Sequence, residues 1–165
     1  MNLKIRLENE ILFNESNQII RILNKSKIFT IEDFINFDIR LIGKIEKAKL
    51  RALQKILKYK YLNIPLNMDD LLEKEYNSDC IKDPHLLEIR KEIKTLGIIY
   101  NTPFSKCAHI LIEKNGSCKL IDLLRKVLKE STLFETFIIS GTDKTILNFY
   151  IDYYNSYTIN QNLDS

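Results

Sequence analysis

The densest run of chemistry-bearing side chains lies between residues 38 and 60. Arg40, Lys44, Lys47, Lys49, Arg51, Lys55, Lys58 and Lys60 are met there only by Asp38 and Glu46. Cations spaced in this way can neutralise successive phosphates of a nucleic acid, which gives salt-sensitive affinity without sequence preference. The plainer reading is the solvated face of an amphipathic helix. A second candidate is "SGTDKT", residues 140–145, a turn around Gly141 followed by Lys144 and Thr145. A helix start offers free amides and the positive end of a dipole, so these two side chains could hold one phosphate. Capping alone also explains the residue types, with Gly141 at positive φ and Asp143 or Thr145 as the cap. In "NFYIDYYNSY", residues 148–157, Phe149, Tyr153 and Tyr157 share a helical face with Tyr150 and Tyr154 beside them. Such rings either stack on unpaired bases or are buried with their hydroxyls left wet.

Nothing else in the chain assembles a reactive constellation. His85 and His109 lack partners at ligand spacing, and Cys107 and His109 diverge on a helix as an i, i+2 pair. Asp69, Asp70 and Glu73 read as the acidic first turn of a helix rather than a metal cluster. No HExxH, P-loop, dinucleotide fingerprint or Ser-His-Asp order occurs. Cys80, Cys107 and Cys118 are odd in number and form no CxxC, which points to free thiols in a reducing compartment. The expectation is a non-enzyme without cofactor, metal or small-molecule substrate. The charged opening "MNLKIRLENEILF" has no signal-like apolar block, and no apolar run is long enough to cross a membrane. A cytoplasmic location and no membrane partner are therefore expected. The net charge of +3 is too small to argue for nucleic acid, so only the local cluster speaks for it.

The elements that must position these residues are helical. The chain has 165 residues, enough for one domain or two small ones, and its 45% apolar content can bury a core. "ESNQIIRILNKSK" predicts a helix with Ser16 as N-cap. In "KIFTIEDFINFD" a second helix starts at Thr30, whose hydroxyl can accept from the amide of Asp33, with Phe34, Ile35 and Phe37 on the buried side. Leu41, Ile42 and Ile45 lead through a turn near 43–46 into a longer helix carrying Leu50, Leu53, Ile56 and Leu57. Residues 63–103 turn acidic after Met68. They predict a short helix from Asp69 to about Tyr76 and another with Pro84 in its first turn and Gly97 at its end. The last third reads helix, Gly-containing turn, helix, turn around Gly141, terminal helix, with a polar tail fraying after about residue 158. The best strand candidate is "TFIIS", residues 136–140; the fold class expected is all-α.

The opening plan recurs. Residues 15–35, "ESNQIIRILNKSKIFTIEDFI", align without gaps on 104–124, "FSKCAHILIEKNGSCKLIDLL", and "IGKIEKAKL" at 42–50 aligns on "ISGTDKTIL" at 139–147. Each half resembles the C-terminal domain found in the alpha chain of bacterial RNA polymerase, chiefly through "TIEDF" at 30–34, "NGSCKLIDLL" at 115–124 and the two hairpin segments. The resemblance covers about two thirds of the chain. It implies two tandem helix-hairpin-helix units: unit one at 1–62, a helical acidic connector at 63–103, unit two at 104–158 and a frayed tail at 159–165. The family's DNA-reading Arg and Asn correspond to Gln18 and Arg21 in unit one and to Cys107 and Ile110 in unit two. Its hairpin glycines correspond to Lys44 and Glu46, and to Gly141 and Asp143. An acid where a phosphate should sit departs from the family pattern, so the fold carries over better than minor-groove recognition. The candidate nucleic-acid contacts are Gln18, Arg21, Lys44, Lys47, Lys49, Arg51, Gly141, Lys144 and Thr145. The functional expectation is an adaptor or regulator that contacts DNA weakly and non-specifically, or a nucleoprotein complex, mainly through unit one. The alternative is a protein-interaction module that has lost nucleic-acid binding.

Overall fold

Helices form wherever apolar residues return every three to four positions. A computed structural model describes residues 2–43, 47–81, 87–98, 102–133 and 141–164, without the side chains of 81, 102–103, 131–133 and 157–164. Its helices are α1 (Asn17–Lys25), α2 (Ile31–Ile35), α3 (Lys47–Leu62), α4 (Asp69–Leu72), α5 (Ser78–Ile81), α6 (Leu87–Thr95), α7 (Thr102–Asn115), α8 (Leu120–Leu133) and α9 (Gly141–Asp164). Two three-residue strands, β1 (Glu75–Asn77) and β2 (Ser117–Lys119), pair antiparallel with Tyr76 opposite Cys118.

Local chemistry sets the helix ends. The Thr30 hydroxyl accepts from the Asp33 amide at 3.1 Å, and the Asp33 carboxylate accepts from the amides of Phe29 and Thr30 at 3.0 and 3.1 Å. This capping box satisfies donors that a helix start leaves without partners, as the sequence predicts. Those backbone donors are also the main reason the Asp33 carboxyl is held below its ordinary value. Gly97, two residues beyond the end of α6, is at φ 79°, and a Cβ there would lie 2.4 Å from the Ala52 Cβ. Both the left-handed turn and the approach of α6 to α3 therefore require glycine at that position.

Three expectations are corrected. The helix expected from Asp69 stops at Leu72, and the chain turns into β1, so the all-α chain carries a small sheet; three residues are too few to display alternation. The polar end does not fray at residue 159, because α9 continues to Asp164. Gly141 is not at positive φ; it is the first residue of α9. The candidates "TFIIS" and Pro84 lie outside the described residues.

One buried cluster draws on the whole length of the chain, including Leu7, Phe13, Leu23, Phe34, Leu53, Tyr76, Ile93, Phe104, Leu123 and Tyr150. Phe13 and Phe34 meet edge to face with centroids 5.7 Å apart. Two places in the chain share a local arrangement. After α1, Lys27 is left-handed at φ 63°, Thr30 bridges Arg6, and the Ile31 amide donates to Ile5 O at 2.9 Å. After α7, Gly116 is left-handed at φ 79°, Lys119 pairs with Glu75, and the Leu120 amide donates to Lys74 O at 3.0 Å.

Candidate nucleic-acid interface

The basic run divides according to the phase of α3. Leu50, Leu53, Ile56 and Leu57 are fully buried, and Gln54 ties the helix down by donating to Phe34 O at 2.8 Å and Phe37 O at 2.9 Å. That orientation turns residues 47, 51, 55 and 58 outward. Lys47, Arg51 and Lys55 are exposed and Lys58 is half-buried. Spaced i, i+4, i+8 and i+11, they form one row, and none has an ion pair among the described residues. The row is about 16 Å long at 1.5 Å per residue.

The other cations of the run are committed elsewhere. Arg40 is exposed and paired with Asp38 at 2.8 Å; its guanidinium holds the Asp38 carboxyl down to about 2. Lys60 and Tyr61 both donate to Glu10, a carboxylate that is only 2% exposed. Burial and that hydrogen bond push the Tyr61 phenol up to about 12. Lys49 is the main correction. It sits i−4 from Leu53 and i−7 from Ile56, on the buried face. Its ammonium lies 2.9 Å from Asp143 Oδ1, with the two side chains 8% and 4% exposed. Lys49 therefore cannot reach a phosphate. Lys44 lies outside the described residues, as do its neighbour Glu46 and His85.

The second candidate also resolves differently from its expectation. The Thr145 hydroxyl donates to Gly141 O at 2.9 Å, inside its own helix, so it neither caps α9 nor offers a donor to a ligand. A Cβ on Gly141 would lie 2.5 Å from the Glu15 Cβ, so glycine here permits the start of α9 to dock beside the start of α1. Thr142 and Ser16 complete that junction with a buried hydroxyl pair at 2.6 Å, and the Ser16 side chain makes no capping bond. Asp143 is occupied by Lys49, which leaves only half-buried Lys144 of that cluster as a cation. Gln18 and Arg21 are both exposed on α1, three residues apart.

The terminal tyrosines are packing residues where they are described. Tyr150 is fully buried and donates to Leu96 O at 3.1 Å, and Tyr153 donates to Leu66 O at 2.9 Å. Tyr59 meets the rings of Phe149 and Tyr153 edge to face. Of the acids, Glu73 accepts from Lys119 at 2.7 Å and from Tyr154. Glu88 and Glu92 converge on Lys74, which raises that lysine well above its ordinary value. Cys107 is buried with its thiol pushed up to about 12, chiefly by desolvation, and it points at Glu130 rather than His109.

Sequence reasoning missed the buried Glu10 and the Lys49–Asp143 pair. The first accepts locally only from the Leu12 amide, and the Lys60 and Tyr61 donors that bury its charge lie fifty residues away. Of the second, the buried position of Lys49 was visible in the phase of α3, whereas its partner Asp143 was not. No family model, curated protein or solved structure matches the chain.

Proposed function

We propose that the protein is a non-enzymatic adaptor that grips a nucleic-acid backbone, within a nucleoprotein complex, through the row Lys47, Arg51, Lys55 and Lys58. One observation carries this reading: four cations share one outward face of a well-anchored helix and make no ion pair among the described residues, Lys47 lying only in the wider field of the Asp38 carboxylate that Arg40 already pairs. One strand of a duplex carries a phosphate about every 3.4 Å of helix axis, so a row of about 16 Å laid along that axis spans roughly five of them. Backbone contact alone gives affinity with little base preference.

The tandem arrangement belongs to the same proposal. The paired features after α1 and α7 fall at aligned positions: Lys27 with Gly116, Thr30 with Lys119, and Ile31 with Leu120. They support two copies of one plan, similar to the polymerase domain named above, in which the second copy takes its pairing strand from residues 75–77. Extending the hairpin alignment along α9 sets Asn148, Asp152 and Asn155 opposite Arg51, Lys55 and Lys58. The grip therefore lies in the first copy. Exposed Leu41 and Ile11, 75% and 71% accessible, favour a protein contact as the second reading.

The test is fluorescence anisotropy of labelled DNA against salt. Neutralising four phosphates gives a slope of log affinity on log salt of about −3.6 on duplex, or about a 10²-fold loss between 50 and 200 mM. Lys47→Gln, Arg51→Gln and Lys55→Gln should each reduce that slope by about one. Absence of salt-dependent binding, or a slope that ignores these substitutions, would transfer the function to the apolar patches.

A further inference from the structure

We propose that the recess at the C-terminal end of α3 receives the base of an unpaired nucleotide while its phosphates lie on the basic row; this rests on the backbone reading above. The recess holds about 200 Å³ and is built from Lys55 and Lys58 on one side and residues 64–68 on the other. That volume falls below the roughly 300–1,000 Å³ of pockets for drug-sized ligands, so it suits one ring system rather than a whole cofactor.

The wall is held in place before any ligand arrives. Left-handed Asn63, at φ 54°, turns the chain off the end of α3, and the Ile64 amide donates back to Lys58 O at 3.3 Å. Tyr153 of α9 and the Met68 amide both donate to Leu66 O at 2.9 Å. Leu66 and Met68 are buried, whereas Ile64, Pro65 and Asn67 remain exposed at the opening. The Asn67 amide has no hydrogen-bond partner among the described residues.

The chemistry at this opening is specific. Apolar faces of Ile64 and Pro65, a free amide and two ammonium groups lie together, and the ammonium groups continue the row from Lys47 and Arg51. A nucleotide presents a matching set: a flat apolar face, a hydrogen-bonding edge and an adjacent phosphate. Extruded bases are held in this way, between apolar side chains with hydrogen bonds to the edge. A paired base has its faces stacked and its edge occupied, so a single strand satisfies the recess and a blunt duplex does not. A row of cations alone would treat both strands as charge.

The experiment measures anisotropy at low salt with three labelled ligands of equal length: a single strand, a blunt duplex, and a single strand whose central nucleotides are abasic. The abasic strand keeps every phosphate and lacks the bases. The wild type should prefer the intact single strand to the abasic one by about two-fold or more, a smaller factor than aromatic platforms give because the walls of the recess are aliphatic. Ile64→Ala with Asn67→Ala, both surface positions, should abolish that preference and leave duplex affinity and its salt slope unchanged. Equal affinity of wild type for intact and abasic strands would overturn the recess and leave the backbone reading standing. No binding to any of the three would overturn both. Loss of duplex affinity in the double variant would show that these residues act on the backbone and would overturn base capture.

Discussion

Replacing Lys49 by Met separates the buried part of α3 from its exposed part. Met keeps the length and packing of the side chain and removes the charge, which takes its ion partner from the Asp143 carboxylate in a site where both side chains are less than a tenth exposed. Breaking a buried pair from one side typically costs about 3–5 kcal/mol, because the remaining charge stays desolvated. For a chain of this length each kcal/mol moves the midpoint by about 2–4 °C, so melting should fall by about 6–20 °C. Removing both charges, as Lys49→Met with Asp143→Leu, should recover most of the loss, since apolar replacements of buried pairs are often neutral or better. The assay is urea denaturation followed by circular dichroism on the wild type, both single variants and the double variant, which closes a thermodynamic cycle. The same Lys49→Met protein, held well below its midpoint, should keep the wild-type salt slope for DNA. A stability loss under about 1 kcal/mol, together with a salt slope reduced by one, would place Lys49 in solvent and refute the division of the helix.

Three further outcomes follow from local geometry. Phe34→Ala, at a fully buried ring packed against Phe13, should cost about 3–5 kcal/mol, whereas Thr30→Ala, which removes only a capping hydroxyl, should cost about 1 kcal/mol, both read from urea midpoints. The Asp33 carboxyl is depressed in the folded state, so its contribution is present above the unfolded carboxyl range near pH 4 and is lost as pH falls through the lower folded value. Asp33→Asn should flatten that part of the acid limb in a pH series of melting curves. Desolvation pushes the buried thiols Cys107 and Cys118 up to about 12 and 11, so native labelling with iodoacetamide at mildly alkaline pH should modify half-buried Cys80 first. All three should react in denaturant when counted by mass spectrometry, and a native Cys107 as reactive as Cys80 would contradict its burial.

Sequence period carried most of the helical architecture. The cap at Thr30 could be read to the atom because its donors and acceptors lie within four residues. The exposed row on α3 was legible for the same reason, since spacing and phase are local properties. Counting charge without phase placed Lys49 among the ligands, although its distance from Leu53 and Ile56 assigns it to the buried face. What stayed hidden depends on partners distant in the chain. Glu10 reads as a surface acid until Lys60 and Tyr61 arrive, and Glu75–Asn77 become a strand only because Ser117–Lys119 lie beside them. Thr145 looked like a ligand donor because residue type does not tell whether a hydroxyl bonds outward or back to its own helix.

The comparison of α3 with α9 explains how a chain with a net charge of only +3 can hold a directed basic face. At the aligned outward positions α3 carries Lys47, Arg51, Lys55 and Lys58, and α9 carries Lys144, Asn148, Asp152 and Asn155. Inward positions keep their apolar character in both, with Leu50 matched by Leu147 and Leu53 by Tyr150, all four fully buried. Burial constrains the inner face, because a charge there needs a partner such as the one Lys49 finds in Asp143. The outer face is free to change sign at little cost in stability. On the proposed reading, that freedom leaves one copy with an attractive field and the other without it. A polyanion approaching the molecule is then steered to α3 rather than to α9.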